Sequence, residues 1–196
     1  LVTKKGLAAA NVRDLVALAK AQPGKLSYGS TGNGSASHLA AELFKTRSGT
    51  DIVHIPFRGA APMTTELLAG RLDLAFATLP SVISQIESGE LHALAVASAK
   101  RAARLPDVPT LAEAGVTGVE ADAWFALFAP AKTPQPAIDR LYKSATAALS
   151  QHAVATAFAA QGMTVAVRQP PEIAAWLPGE VEKWAAVIKA ANVTVD

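Results

Sequence analysis

Between Tyr28 and Leu43 the chain reads Tyr-Gly-Ser-Thr-Gly-Asn-Gly-Ser-Ala-Ser-His-Leu-Ala-Ala-Glu-Leu. The apolar run Leu26 to Tyr28 suits a short strand, and Ser35, Ala36, Leu39, Ala40, Leu43 and Phe44 recur at helical spacing. The pattern predicts a strand, a glycine turn and a helix N-terminus. Such a corner offers free backbone N–H groups and the positive end of a helix dipole, which together hold phosphate, sulfate or carboxylate. Gly29, Gly32 and Gly34 allow positive φ and close approach to a ligand, and Ser30, Thr31, Asn33 and Ser35 add side-chain donors. The glycines do not spell a dinucleotide fingerprint, since position 37 is Ser, and no Lys follows the last glycine as in a P-loop. The plainer alternative is an ordinary βα turn with Ser35 or Asn33 as helix cap.

Two later turns carry compatible chemistry. Arg58-Gly59-Ala60 is another helix start, with a guanidinium that can fork onto a carboxylate. Thr78 puts a hydroxyl on a third βα turn, where it could also merely cap the following helix. His38 lies one turn inside its helix, the usual place of a packed or hydrogen-bonded imidazole. His54, His92 and His152 are scattered, no pair has metal spacing, and neither metal nor cofactor is expected. Catalysis would need an activated nucleophile. Ser35 with His38 could serve a small α/β hydrolase or transferase, but there is no G-x-S-x-G elbow and i, i+3 on one helix is poor triad geometry.

These corners need elements to carry them. With 51% hydrophobic and 17% charged residues, the 196-residue chain has enough apolar material for an α/β core in one domain or two small ones. A net charge of +2, with Lys100–Arg104 as the densest basic stretch, argues against nucleic-acid binding. No apolar run approaches a membrane span, and the absence of Cys excludes disulfides and thiol catalysis. A start at Leu1, without Met or signal peptide, reads as a processed or truncated piece.

Strands are expected at Leu1–Thr3, Leu26–Tyr28, Asp51–Pro56, Leu72–Ala77 and Leu91–Ser98, alternating with helices from Asn11, Ser35, Ala60 and Pro80. This rhythm implies a mostly parallel sheet covered on both faces, with ligands at the carboxyl ends of its strands. A short helix at Thr110–Ala114 should follow, then a strand at Ala123–Pro130, helices from Pro134 and His152, a strand at Met163–Val167 and a last helix from Pro170, bent at Pro178-Gly179. The rhythm changes near Ala121–Phe125, which places a domain boundary there.

Tyr28–Leu39, His54–Pro62, Leu94–Arg101, Leu105–Gly115 and Trp124-Phe-Ala-Leu-Phe-Ala-Pro130 resemble, in order, the Bug or TctC-type proteins, periplasmic solute-binding components of tripartite tricarboxylate transporters. The resemblance implies α/β lobes closing on a solute like a Venus flytrap. Residues 1–122 would be the complete second lobe and 123–196 the C-terminal part of a first lobe whose N-terminal part is absent from the chain. It implies a receptor rather than an enzyme, periplasmic, with a small organic acid and membrane transporter subunits as partners. Ser30, Thr31, Gly32, Asn33, Gly34, Ser35, His38, Arg58, Gly59, Ala60 and Thr78 would line the site. Arg58 stands where the family often has Lys, and Ala77-Thr78 where it often has Asp-Asn. An incomplete first lobe would leave Trp124, Phe125, Leu127 and Phe128 uncovered, so the polypeptide should either carry the N-terminal segment or self-associate by exchanging its 123–196 arm.

Overall fold

The computed structural model describes residues 1–194, so the last two positions of the expected 123–196 segment lie outside the described residues. Strands β1 (Val2–Lys4), β2 (Ser27–Ser30), β3 (Val53–Pro56), β4 (Leu74–Ala75) and β5 (Leu91–Ala93) form one five-stranded sheet in the order β3-β2-β4-β1-β5. β2 runs parallel to both β3 and β4, whereas β1 is antiparallel to β4 and β5. Four strands therefore share one direction and β1 is inserted against them, so the mostly parallel sheet is a mixed one.

Between the strands run helices α1 (Val12–Ala21), α2 (Ala36–Ser48), α3 (Ala60–Leu68) and α4 (Leu79–Glu87). Asn11 caps α1 by accepting the Asp14 N–H, and Gly49, at φ 63°, ends α2 in the left-handed conformation that glycine adopts without strain. Alternation along the strands feeds two cores. Tyr28 and Leu74 join Leu15, Ala19, Leu39 and Phe44 of α1 and α2 in one cluster. Val2 and Ala75 join Met63 and Leu67 of α3 and Val82 of α4 in the other. Helices thus cover both faces, as buried parallel strands require. Gly29 is not at positive φ; its role is room, because a Cβ there would sit 2.6 Å from Leu72 Cδ1 and 2.8 Å from Met63 Cγ.

The second part is helical: α5 (Gln135–Leu149), α6 (His152–Ala160) and α7 (Pro170–Ala190), the last unbroken through Pro178-Gly179. Among its described residues no strand forms. The expected strands at Ala123–Pro130 and Met163–Val167 are irregular, because neither meets a partner whose backbone could complete a ladder. The expected helix at Thr110–Ala114 is a single turn: Thr110 Oγ1 accepts the Glu113 N–H at 3.1 Å, Glu113 accepts the Thr110 N–H at 2.8 Å, and Gly115 at φ 92° stops it.

Candidate functional site

The chain leaves β2 into α2, passes along β3 on one side, then crosses back through α3 to β4 on the other side of β2. Strand order therefore reverses at β2, and the carboxyl end of such a strand is where open α/β sheets place ligands. The three predicted turns lie along this edge on neighbouring strands. Arg58-Gly59-Ala60 follows β3, Ser30–Ser35 follows β2, and Thr78 follows β4. The first two touch: the Phe57 N–H donates to Ser30 O at 3.0 Å, and a Cβ on Gly32 would lie 3.6 Å from Phe57 O.

The glycine corner is tightly bonded to itself. Gly32 and Gly34 take φ of 133° and 70°, as positions needing glycine should. Ser30 Oγ accepts the Gly32 N–H at 3.2 Å and donates to Gly32 O at 3.1 Å. The Ser35 N–H donates to Gly32 O, and the Gly34 N–H donates to His38 Nδ1 at 3.1 Å. The free backbone N–H groups expected of this corner are therefore partly consumed within the turn. Ser35 caps α2 by accepting the His38 N–H at 3.3 Å. Ser37 takes the Thr31 N–H at 2.9 Å and lies within hydrogen-bond distance of the Thr31 and Ser35 hydroxyls, a hub that the sequence reading passed over.

The other two turns are more open. Gly59, at φ 111°, and Thr78 stand at the N-caps of α3 and α4 without a side-chain cap bond; in α4 Pro80 has no N–H and the Ser81 N–H donates to Thr78 O at 2.9 Å, so α3 offers the freer N-terminus. Arg58 is exposed and pairs with no carboxylate among the described residues. Thr78 Oγ1 is exposed and donates to Ser81 Oγ at 3.3 Å.

His38 behaves differently from its neighbours on the turn. It is 7% exposed and its ring stacks on His54 with centroids 3.8 Å apart. His54 Nε2 lies 2.7 Å from Ser30 Oγ, and Tyr28 stacks on His54 at 4.8 Å and stands 6.3 Å from His38. Tyr28 Oη donates to Glu42 Oε1 at 2.6 Å, which Lys45 Nζ also reaches at 2.7 Å. Burial first, then the Glu42 carboxylate, raises the Tyr28 hydroxyl above its ordinary value. A cavity of about 300 Å³ borders this group, between His54, the α2 residues His38, Glu42 and Lys45, and positions 191–194. It includes Asn33 but neither Arg58 nor Thr78, so it flanks the strand-end edge. His54, Glu42 and Lys45 escaped the sequence reading, although 38, 42 and 45 repeat at one-turn spacing on a helix.

The Ser35/His38 pairing of a hydrolase does not form: Ser35 Oγ meets a backbone N–H, not an imidazole nitrogen. The Ser–His contact that does form uses Ser30, which is fully buried. A nucleophile with no exposure cannot reach a substrate.

A family model described as the tripartite tricarboxylate transporter family receptor, TctC, matches residues 1–193. The chain belongs to the TctC family. Among curated TctC-like relatives, protein BugT of Bordetella pertussis is 37% identical over 189 residues, which cover 96% of this chain and 58% of BugT. Among solved structures, R. palustris Rpa4515 with adipate aligns at a TM-score of 0.91 and 34% identity, covering 100% of this chain and 66% of that one. The periplasmic binding protein BugD aligns at 0.89 with 31% identity, over 100% of this chain and 66% of BugD. MatC from Rhodopseudomonas palustris with bound malate aligns at 0.86 with 26% identity, over 95% and 65%. The chain spans 53–58% of the length of the first curated relatives it matches. It has the α/β fold of periplasmic binding proteins, and the TctC proteins it resembles are solute-binding receptors.

Proposed function

We propose that this chain is the greater part of an extracytoplasmic, periplasmic receptor that captures a small carboxylate-bearing solute and delivers it to the membrane subunits of a tripartite tricarboxylate-type transporter. The observation that carries this reading is the alignment of three βα turns on adjacent strand ends at the point where strand order reverses. The N-termini of α3 and α4 without side-chain caps, the Ser-Thr-Asn corner and Arg58, which has no carboxylate partner among the described residues, form one edge of positive potential and hydrogen-bond donors, suited to an organic acid. That Rpa4515 is described with adipate and MatC with malate supports the same ligand class. In this reading Thr31–Ser35, His38, Arg58, Gly59, Ala60 and Thr78 line the site, the buried Ser30 supports the corner from beneath, and no group on the edge performs covalent chemistry. Residues 1–122 constitute one lobe, and 123–196 belong to a second lobe completed by further chain.

The test uses the full chain. A thermal-shift screen of mono-, di- and tricarboxylates and their amides should single out a carboxylate, which stabilises by about 2.7 kcal/mol at a hundredfold excess over Kd. Arg58→Ala should then weaken its binding by about 1.5–3 kcal/mol in calorimetry, with Lys restoring only part of the loss because it cannot fork. Amides stabilising as well as the acids, or unchanged affinity in Arg58→Ala, would remove the carboxylate–guanidinium contact from the site.

A further inference from the structure

The histidine pair does more than fill space beside the turn. Its two rings come from different elements, β3 and α2, and stack with 15° between planes. Each ring also reaches one end of the glycine corner. His54 Nε2 meets Ser30 Oγ, which holds Gly32 through both its N–H and its carbonyl. His38 Nδ1 accepts the Gly34 N–H. Gly32 and Gly34 are the corner's two positive-φ residues, the points where a flexible backbone most needs fixing.

We propose that His38 and His54 are positioning residues for the solute-binding corner, fastening Gly34 directly and Gly32 through Ser30, and that the hold on Gly34 lasts only while the His38 imidazole is neutral. The proposal rests on the reading of this corner as a solute contact.

The chemistry follows from tautomers. Accepting the Gly34 N–H requires a lone pair on His38 Nδ1, so the neutral ring carries its proton on Nε2. Protonation puts N–H on both nitrogens, and Nδ1–H would then point at another N–H. Charge on both rings, 3.8 Å apart, is repulsive besides. The surroundings offer little compensation. Tyr28 of β2 and Glu42 and Lys45 of α2 are the titratable groups against the pair, and Glu42 already accepts from both Tyr28 and Lys45. Ala191, Asn192, Val193 and Thr194, which close the cavity, bring no titratable side chain. Burial, and next the neighbouring His38, hold His54 down at about 4 against an ordinary 6.5, and burial lowers His38 too. The unfolded chain therefore binds protons more readily than the folded one in the window between. The stability the neutral pair confers is complete above about pH 6.5, erodes as pH falls below it, and is gone once pH passes the folded value near 4.

Nitrogen-resolved NMR on the full chain tests this without any ligand. The Gly32 and Gly34 amide resonances should shift together on acidification, tracking the imidazole nitrogens of His38 and His54. In His54→Phe, which keeps a ring in the stack but removes Nε2, the Gly32 amide should move at neutral pH and the shared acid transition should change. His54→Gln, which keeps a donor toward Ser30, should leave Gly32 near its wild-type position yet abolish the coupled titration, and it serves if the Phe variant does not fold. With adipate as probe at pH 7.5, His54→Phe should raise Kd about tenfold over the wild type. Glycine amides that neither titrate with the histidines nor respond to His54→Phe or His54→Gln would overturn the proposal. If no carboxylate of the thermal-shift screen binds the wild type, the solute reading fails in its own right, and the amide titration still decides whether the histidines hold the corner.

Discussion

Residues 1–121 and 123–190 are made of similar material, yet the first part buries far more of it. Phe44 is 1% exposed and Leu15 and Leu67 are fully covered, whereas Phe125 and Leu127 are 82% and 84% exposed. Helices α5 and α6 contain no buried residue and α7 buries only Val187. The cause lies in pairing. Strands β1–β5 satisfy one another's backbones, and each apolar helix stripe meets a sheet face. The extended 123–130 segment has the apolar, aromatic run of a strand and no neighbour to pair with. Burial is a property of two surfaces, and a sequence displays only one of them. The division into a closed unit and an uncovered arm accords with our proposal of two lobes, the second completed by chain beyond this one.

The largest expected effect sharpens this contrast. Phe44→Ala should cost about 3–5 kcal/mol of stability in urea denaturation, the range for emptying a packed aromatic site. Leu141→Ala, at a position 58% exposed, should change stability by less than about 0.5 kcal/mol. Similar losses at both sites would mean that α5 is covered in solution and that the two regions do not differ as described.

A second pair asks the same question with one substitution of opposite sign. Gly29→Ala drives a methyl into Leu72 Cδ1 and Met63 Cγ, and overpacking of this kind costs about 1–3 kcal/mol. Gly179 lies inside α7, where an added Cβ would meet nothing within 4 Å, so Gly179→Ala should stabilise by about 0.5–1 kcal/mol through helix propensity alone. Thermal melts of the two variants moving in the same direction would break the comparison.

What the sequence disclosed follows the same divide. Periodicity and glycine punctuation located all five strands, the helices of the first part and the turns at Ser30–Ser35, Arg58 and Thr78, because those signals are local. The reversed course of β1 was not legible, since three residues carry no mark of direction and only pairing with β4 and β5 reveals it. The histidine stack was equally hidden: His38 and His54 are 16 positions apart, and only the parallel register of β2 and β3, with Tyr28 opposite His54, carries His54 to the side of Ser30 and α2. The strands expected at 123–130 and 163–167 failed for want of a partner, not for want of pattern.

The smallest predicted effect bears on the seam between the regions. Trp124 is the anchor of the uncovered segment: its Nε1 donates to Glu180 Oε2 at 3.3 Å, and its ring meets the edge of Trp176 at 4.9 Å between centroids. Glu180 has other partners, accepting from Trp184 Nε1 at 3.2 Å and Lys183 Nζ at 2.9 Å, and the Lys183 contact foremost keeps its carboxyl below the usual range. Trp124→Phe removes one long hydrogen bond from a carboxylate that stays satisfied, and retains the ring contact at a site 41% exposed. The loss should be no more than about 0.5 kcal/mol globally, while amide hydrogen exchange across 123–130 should accelerate, because local opening draws on few other contacts. A global loss of about 2 kcal/mol or more, with exchange at 123–130 and at β2 rising in step, would show that the segment unfolds as part of the sheet's core, and the boundary near residue 122 would have to be redrawn.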